Sequence, residues 1–540
     1  MPKILINEKD YTNPGAPGSY ANYAVLIPGF MGNGDRKTVK PDTNGVYEFQ
    51  SYQDFEDTIG IVEPQYQTDA ASISHYGNQM AYELLKQGYT VVYLPVDKDN
   101  LATTLSNAAT WEIFKDKTSY DFRFVHHGFL DSTDPTIIKA REEQLDAVRT
   151  TVQTLVNKGI VSYTGDTSEM VIGGTTYELE AVPNQDFEEV VTIADAYTEL
   201  LGELTDPDNA LEDDNLKGAD GDYYTDWREA VKAVATLLLS ALTLHNACIT
   251  TTTINKVNTN IANLAKYAAE DSGAGIPGRG DCVALIELDE NSYVNVDSAD
   301  KPEVLIRSAI QELSSAIGDM EGCGKYCALT VPSVYYVDDR KFPGGFHYLS
   351  CFMNALKQGF KEWYAAAGYT RGVSSYVIDH TSVSLGEIAI NALEPRQKQV
   401  DGQFACNVIA NFRGSYYLWG NRTAHPLDDA DLTASSFLNI RQLCTTIKKQ
   451  LYVACRRFTF DPNNDTLWFN FVNAIRPTLD EMKADQGIRD YKIMKVTTDK
   501  KATLKAKIRI IPIEAVEDFD LEISLEDSFG DTVVTATESV

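Results

Sequence analysis

The stretch HYGNQMAYELLKQGYTVVYLPV, residues 75–96, decides the fold because it joins a helical pattern to a buried strand. Apolar residues recur at three- and four-residue spacing up to Gly88, and residues 90–96 then form a short, almost continuous apolar run. A similar run, AVLIPGF, lies upstream at 24–30. Strand, helix and strand in this order predict an α/β unit.

The same pattern returns after residue 271. CVALIELD from Cys282 and YCALTVPSVYYV at 326–337 are strand-like, and helical patterns occupy 302–318 and YLSCFMNALKQGFKEWYAAAG at 348–368. Further strands (FACNVIANF, YYLWG), two helices and a final strand pair (YKIMKVT, ATLKAKIRIIPI) follow. Two segments that are distant in sequence are therefore expected to share one core.

The predicted fold class is multidomain α/β. It combines a discontinuous α/β core domain, an inserted α+β domain, and an α+β C-terminal domain with extended terminal arms. A chain of 540 residues exceeds the ~250 to 300 residues at which single cores stop growing. The predicted boundaries are an N-terminal arm at 1–22, the α/β domain at 23–100 and 271–387, an inserted peripheral domain at 101–270, the C-terminal domain at 388–514 and a C-terminal arm at 515–540.

The insertion shows a helical pattern near 137–157, a hairpin pattern at 161–182 and an acidic loop at 206–222. Its apolar run at 233–244 is about half of what a bilayer span requires, so we expect a buried helix and no membrane insertion. The first residues lack the pattern of a signal peptide, which predicts synthesis in a cytoplasm.

The formal net charge is −31, so the surface as a whole is expected to repel nucleic acid and anionic lipid. The eight cysteines are scattered, as is typical of reduced thiols, and the lone Cys323-x₃-Cys327 pair lacks the partners of a zinc site. We predict no metal and no cofactor.

No catalytic motif is found. The string GAGIPG at 273–278 has a helical pattern before it and a strand after it, the reverse of a dinucleotide site. His126 and His127 are sequence neighbours, and we expect their side chains to point in different directions. The chain is predicted not to be an enzyme; a cytosolic α/β hydrolase or binding protein with a dispersed site stays as a remote alternative.

The segment at 437–458 predicts an amphipathic helix that carries five positive and no negative charges. Its apolar stripe is Ile440, Cys444, Ile447, Leu451, Ala454 and Phe458. The basic residues are Arg441, Lys448, Lys449 and Arg456 on one face, with Arg457 further round. In an acidic chain this placement favours an acidic partner surface; the alternatives are solvated charges or pairing with the chain's own carboxylates.

Both chain ends carry strand patterns. Ile4, Leu5 and Ile6 form a short β-prone run, and Phe519, Leu521, Ile523 and Leu525 alternate with acidic residues in a segment that has nine acidic and no basic residues from Glu514 onward. A lone strand is stable only when it is added to a sheet edge. That edge belongs either to another copy or to the same subunit.

Three segments resemble the C-terminal domain of contractile tail sheath proteins, in the order expected for that family. The first is a Trp-Gly-x-Arg-Thr turn, with Trp419, Gly420, Arg422 and Thr423; the second is an N-[IV]-R-x-L helix start, with Asn439 and Arg441. The third is an F-x-P-N segment from Phe460 with an extra Asp, containing Pro462, Asn463 and Trp468.

The resemblance implies a structural subunit that forms hexameric rings, stacked helically around a tail tube, and contracts to drive that tube through a host envelope. It implies that the basic helix faces the tube and that both arms join a neighbour's C-terminal domain in a shared sheet. The implied partners are other copies, the tube protein, and baseplate and tail terminator proteins, in a virion tail assembled in the host cytoplasm. A sheath of a phage-derived bacteriocin or injection system is the alternative within this class.

Overall fold

The computed structural model describes five parts of the chain. These are 23–131 with breaks at 32–33, 35–37, 61–64, 67–73, 97–103, 106 and 129; the strands at 161–164, 167–172 and 175–179; 251–294 with a break at 271–277; 301–393 except 339; and 404–515 with breaks at 428–431 and 498–501. The predicted arm strands, the helix at 137–157 and the acidic loop at 206–222 lie outside these residues.

Nineteen strands are present in the described residues. They are β1 Ala24–Phe30, β2 Tyr47–Phe49, β3 Gln65–Tyr66, β4 Ser74–His75, β5 Thr90–Val96, β6 Phe124–His126, β7 Leu130–Asp131, β8 Val161–Thr164, β9 Thr167–Ile172, β10 Thr175–Leu179, β11 Val283–Ile286, β12 Cys327–Val331, β13 Val334–Val337, β14 Arg340–Pro343, β15 His380–Thr381, β16 Asn407–Phe412, β17 Ser415–Trp419, β18 Ile488–Val496 and β19 Lys505–Pro512.

The α-helices bounded in these parts are α1 Tyr52–Thr58, α2 Gly77–Gln87, α3 Ala108–Glu112, α4 Thr251–Ala268, α5 Pro302–Ile317, α6 Met320–Cys323, α7 Gly344–Lys357, α8 Gly368–Arg371, α9 Glu387–Leu393, α10 Leu438–Arg457 and α11 Asp465–Ala484. None of them is long and apolar enough to cross a membrane.

An eight-stranded mixed sheet organises the molecule, in the order β17-β16-β12-β11-β6-β1-β5-β2. The six inner strands are parallel, and β2 and β17 are antiparallel strands at the two edges. In the register, Leu26 of β1 lies between Val92 of β5 and Val125 of β6. A parallel sheet must be covered on both faces, which explains why its strands are apolar runs.

Successive side chains of these strands enter opposite cores. Leu26 and Ile286 pack with residues of α4 and α5, among them Leu264 and Ile310, whereas Ile27 and Leu285 lie in the core formed with α2 and α7. The prediction of a mixed α/β fold is confirmed at this level, and its division into domains stays a prediction.

The sheet takes strands from several predicted domains. β6 and α4, at the two ends of the predicted insertion, belong to the sheet and its cover, and β16 and β17, from the predicted C-terminal domain, extend the same sheet. Strands from different predicted domains therefore hydrogen-bond to one another in one sheet. The boundaries themselves stay predictions.

Two local predictions need correction. The helix expected over 348–368 begins at Gly344 and ends at Lys357, because Gly359 follows with a φ of +92° and the amide of Phe360 bonds back to the Ala355 carbonyl at 3.1 Å. The hairpin expected over 161–182 has three antiparallel strands, β8, β9 and β10.

A second layer consists of α10, α11 and the hairpin of β18 and β19. Leu443 and Ile447 of α10 pack with Leu479 and Met482 of α11, and with Trp363 from the segment after α7. Of the predicted apolar stripe of α10, Ile440 and Ile447 are buried, and Cys444, Leu451, Ala454 and Phe458 are half-buried. The stripe is therefore a packing surface, as its spacing predicts.

Candidate assembly interface

The Trp-Gly-x-Arg-Thr turn caps the N-terminus of α10. Phe437, which precedes the helix, gives no side-chain cap, and the Asn421 side chain supplies one instead. Its Oδ1 accepts from the amide of Asn439 at 3.0 Å, and its Nδ2 donates to Asn439 Oδ1 at 2.7 Å. The Leu438 amide donates to the Asn421 carbonyl at 2.9 Å. The first two family segments are thus joined by hydrogen bonds.

The turn is fixed to the sheet by Asn407 of β16. The Arg422 amide donates to Asn407 Oδ1 at 2.7 Å, and Asn407 Nδ2 donates to the carbonyls of Arg422 and Leu329. Gly420 has a φ of +147°, and a Cβ there would lie 2.8 Å from Asn407 Cα. Only glycine permits this close approach, which gives the glycine of the motif a packing reason.

Three other side chains of the turn, those of Trp419, Arg422 and Thr423, also contact neighbouring residues. Thr423 donates its hydroxyl to the Ser435 carbonyl at 2.6 Å, and the Arg422 guanidinium lies 5.1 Å from the Phe437 ring centre. Trp419 packs edge-on against Tyr369, with ring centres 5.1 Å apart. Thr423 and Arg422 therefore hold the turn against the segment that leads into α10.

The polar side of α10 is buried by the chain itself. Arg123, immediately before β6, is 2% exposed and donates to the Gln442 side chain at 2.8 Å and to the Thr446 hydroxyl at 2.6 Å. Glu362 lies 3.7 Å from the same guanidinium. Sequence reasoning missed Arg123, because nothing local links residue 123 to a helix more than 300 residues later.

Two predicted tube-facing lysines contact the same body. Lys448 Nζ lies 3.1 Å from Glu270 Oε2 and donates to the Gly280 carbonyl and the Tyr326 hydroxyl. Lys449 Nζ donates to Asp121 and to the Phe122 carbonyl, and Asp281 lies 3.9 Å away. For these two residues, the chain itself supplies the acidic surface expected from the charge of the helix.

Asp281 anchors this cluster of charges. Its carboxylate accepts from Arg279 Nε at 2.8 Å, and both side chains are buried. Burial opposes ionisation of Asp281, but Arg279, Lys449 and Lys117 together hold its pKa below the usual value. The Glu270 pKa is also low, since Lys448 and Tyr326 outweigh its partial burial.

The remaining basic residues of α10 differ in exposure. Arg441 is half-buried, with its guanidinium 4.6 Å from the Tyr326 ring centre. Arg456 is half-buried beside Tyr452, and Arg457 is exposed. The C-terminal end of α10 therefore presents the accessible part of the predicted tube-facing set, and the tube-facing role stays a prediction.

The third family segment lies beyond that end. Phe460 is 87% exposed, Pro462 and Asn463 are exposed, and Asn463 Nδ2 approaches the Thr503 carbonyl at 3.4 Å. Asn464 caps α11 by accepting from the Leu467 amide at 2.9 Å. Trp468 packs beside Phe471, ring centres 6.0 Å apart. The segment connects α10 to α11 and approaches the loop before β19.

The hairpin of β18 and β19 is a two-stranded sheet. On one side Tyr491, Ile493, Ile508 and Ile510 pack against the core of α10 and α11. Within the described part of the chain, no third strand pairs with either outer edge. Two-stranded sheets are marginal alone, and unpaired edges can accept an added strand.

A separate buried cluster joins His126, His127 and Glu287. The two imidazoles stack with centres 4.8 Å apart, contrary to the predicted divergence, because β6 ends at His126 and strand alternation ends with it. His126 Nδ1 accepts from the Gly128 amide at 2.9 Å, which places its proton on Nε2, 3.1 Å from Glu287 Oε1. The ligand atoms of His126, His127 and Glu287 all lie within 4.8 Å of one another.

Comparison of the chain with protein-family models and with curated proteins gives no match. Among solved structures, the chain is similar to the PVC sheath complex of an extracellular contractile injection system in the contracted state. The sequence identity is 14%, the match covers 48% of this chain and 70% of that chain, and the TM-score is 0.35. The chain is also similar to chains of the anti-feeding prophage (AFP) baseplate.

In the six-fold symmetrised AFP baseplate, the identity is 12%, the coverage 97% of this chain and 99% of that chain, and the TM-score 0.45. For the contracted AFP baseplate, the identity is 10%, the coverage is 94% of each chain and the TM-score is 0.45. At these identities and TM-scores, the likeness assigns no function to this chain.

Proposed function

We propose that this chain is the structural subunit of a contractile tail sheath. Copies polymerise as stacked hexameric rings around a tail tube, and the assembly contracts to drive the tube through the host cell envelope. The subunit performs no chemistry in this role. Its partners are other copies, the tube protein, and the baseplate and tail terminator proteins.

One observation carries the proposal. The two segments that most resemble sheath proteins, the Trp-Gly-x-Arg-Thr turn and the start of α10, are 18 residues apart and bond to each other through Asn421 and Asn439. Because the turn also bonds to the sheet through Asn407, the motif residues position one helix on the body. A protein that assembles with partners must hold its contact surface in a fixed position. Motif residues that position one helix on the body are therefore expected in such a protein.

The open edges of the β18–β19 hairpin support the assembly mode. Strands donated by the terminal arms of neighbouring copies would complete this sheet through main-chain hydrogen bonds. Such links tie subunits together while their bodies stay free to rotate during contraction. In this arrangement, the exposed end of α10, with Arg456 and Arg457, faces the tube.

Negative-stain electron microscopy of the full-length protein, alone and co-expressed with its cognate tube protein, tests the proposal. We expect hollow tubes or stacked rings, with a length set by the tube when the tube is present. A monomeric protein that assembles neither alone nor with the tube protein would overturn the sheath assignment.

A further inference from the structure

Two histidines and a glutamate lie together at the carboxyl edge of the large sheet. His126 is the last residue of β6, and Glu287 directly follows β11. The two strands are parallel, with Leu285 opposite His126, so His126, His127 and Glu287 emerge at the same edge. Each of the three residues is at most 1% exposed. We call these three residues the histidine–glutamate cluster.

The cluster lies where the strand order of the sheet reverses. From β1 the chain crosses through α2 to β5 on one side of β1, and it then returns to β6 on the other side and continues to β11 and β12. In open α/β sheets, ligands bind outside the carboxyl ends of the strands at such a reversal. The topology therefore places His126, at the carboxyl end of β6, in a position suited to ligand binding.

Two donor atoms of the cluster are buried without a hydrogen bond. Glu287 Oε1 accepts from the Gly345 amide at 2.7 Å, but Glu287 Oε2 has no hydrogen-bond partner in the described part of the chain. His126 Nε2 lies 3.1 Å from Glu287 Oε1, and these two atoms form no hydrogen bond with each other. Because buried polar atoms are almost always paired, two such atoms side by side point to a ligand that both can bind.

Gly345, near the start of α7, leaves room beside these atoms. A Cβ at this position would lie 3.0 Å from Glu287 Oε1 and 3.2 Å from His126 Nε2, so any larger residue would crowd both. The Gly345 amide also fixes the orientation of the Glu287 carboxylate. Carboxylates that bind metal ions are commonly held by such an outer hydrogen bond.

The spacing of the donor atoms fits a single metal ion. Two ligands that each lie about 2.1 Å from one ion are about 3.0 to 3.4 Å apart at octahedral or tetrahedral angles. His126 Nε2 and Glu287 Oε1 have this separation, and no pair in the cluster is more than 4.8 Å apart. The His127 ring therefore needs to move inward by on the order of 1 Å.

The kinds of donor atom select the class of metal. Two imidazole nitrogens and a carboxylate oxygen suit Zn²⁺ and similar transition-metal ions. Mg²⁺ and Ca²⁺ prefer oxygen ligands alone. Zinc is therefore the ion that this set of side chains favours.

We propose that the histidine–glutamate cluster binds one Zn²⁺ ion through His126 Nε2, a ring nitrogen of His127 and the Glu287 carboxylate. A water molecule would complete four-coordination. The ion links β6 to β11 and, through Gly345, to the start of α7. This inference goes beyond the proposed function and does not depend on it. It departs from the sequence-based prediction of no metal, in which the two histidines were expected to diverge.

Binding through His126 Nε2 moves one proton of the imidazole ring. In the structure, Nδ1 accepts from the Gly128 amide, and Nε2 carries the proton. When Zn²⁺ takes the Nε2 lone pair, the proton leaves Nε2 and one is taken up at Nδ1. The ring stays neutral, and the Gly128 amide gives up its hydrogen bond to it.

Zinc titration of the full-length chain, after removal of bound metal with a chelator, tests the proposal. We expect one Zn²⁺ per chain to remain bound through gel filtration, as measured by elemental analysis. Glu287→Gln keeps the shape of the side chain but removes the anionic oxygen, and it should weaken zinc binding at least about 100-fold. His127→Gln should have the same effect. His380→Gln, at an exposed histidine, is the matched control and should bind zinc like wild type.

Two further measurements locate the ion. X-ray absorption at the zinc edge of the loaded wild-type chain should show two imidazole ligands, with oxygen and no sulfur in the remaining positions. This measurement needs no variant, so it stays decisive if a substitution prevents folding, which circular dichroism detects. Zinc should also raise the thermal unfolding midpoint of wild type and of His380→Gln, but not that of Glu287→Gln.

Three outcomes would overturn the zinc site. They are no zinc retained by the wild-type chain, equal retention by wild type and Glu287→Gln, and sulfur among the zinc ligands, which would place the ion at a cysteine. None of these outcomes bears on the sheath role, because that role is tested by the formation of tubes or rings. Conversely, zinc binding at the cluster in a chain that never assembles would overturn the sheath role and leave the zinc site.

Discussion

Lys449 directs its ammonium group into a site formed by Asp121, Asp281 and the Phe122 carbonyl. The side chain is 13% exposed, so the ion pairs are only partly screened by solvent. Together with Lys448, this residue holds α10 against the sheet. The charges of Lys448 and Lys449 therefore stabilise the fold of the subunit itself.

Replacing Lys449 with Glu should lower the free energy of unfolding by about 3 kcal/mol, because it puts a third carboxylate beside Asp121 and Asp281. Urea denaturation of the monomer measures the change. Lys40→Glu, at an exposed lysine outside the helices and strands, is the matched control and should change stability by less than about 0.5 kcal/mol. Equal stability of the two variants would mean that Lys449 does not hold the helix.

Asp281 should give the fold a defined acid sensitivity. Its pKa is lower in the folded than in the unfolded chain, so its stabilising contribution is present above the unfolded value of about 3.9 and is lost as the pH falls through the folded pKa. Asp281→Asn should therefore be less stable than wild type near neutral pH, with a difference that shrinks below about pH 4. Unfolding free energies between pH 2 and 7 measure this.

The exposed carboxylate Glu321 provides the control for that titration. Glu321→Gln should run parallel to wild type over the same range. A constant gap between Asp281→Asn and wild type down to pH 2 would contradict the role given to the ion pair.

At the scale of elements, α10 begins on a cap donated by a remote turn. Asn421 is 7% exposed and makes a reciprocal pair of hydrogen bonds with Asn439, while Gly420 lets the turn lie directly on β16. The start of the helix is thus set by the sheet, and its other end, with Arg457 and Phe460, projects into solvent. One helix joins the body to an accessible surface.

Asn421→Ala should lower the free energy of unfolding by about 2 kcal/mol, because the buried amide and side-chain oxygen of Asn439 lose their partners. Asn463→Ala, in the third family segment, is the control, since Asn463 is exposed and its amide contact is 3.4 Å long. Thermal and urea unfolding of both variants give the comparison. A cost for Asn463→Ala as large as that for Asn421→Ala would argue against the capping role.

At the scale of the whole molecule, the large sheet and the second layer leave two accessible surfaces in the described part of the chain. The accessible end of α10 is one, and the open hairpin of β18 and β19 is the other. In the proposed sheath function, the contacts of these two surfaces with a tube and with neighbouring copies change while the body stays folded.

Reversing the charge of Arg456 and Arg457 to Glu should weaken assembly on the tube while leaving the monomer folded, since Arg457 is exposed and Arg456 is half-buried beside Tyr452. Electron microscopy of tubes co-expressed with the tube protein, together with circular dichroism, measures both effects. Lys301→Glu with Lys357→Glu is the control for charge. Tubes of normal number and length would assign the tube contact to another surface.

The sequence by itself determined the parts that depend on local pattern. The apolar runs of β1, β5 and β11 and the periodicity of α2 and α10 predicted these elements, because strand and helix each impose their own spacing on buried residues. The three motif segments were also visible along the chain. Helix α7 was misplaced at both ends, since its C-terminal stop depends on the conformation of Gly359.

Only the tertiary structure decided what the charged residues of α10 contact. Lys448 and Lys449 meet Glu270, Asp121 and Asp281, and Gln442 meets Arg123, at separations of 168 to 328 residues in the chain. Periodicity shows which side chains share a face of a helix, but not what covers that face. The residues that cover this face depend on how distant strands and helices pack. The sequence pattern of one helix contains no information about that packing.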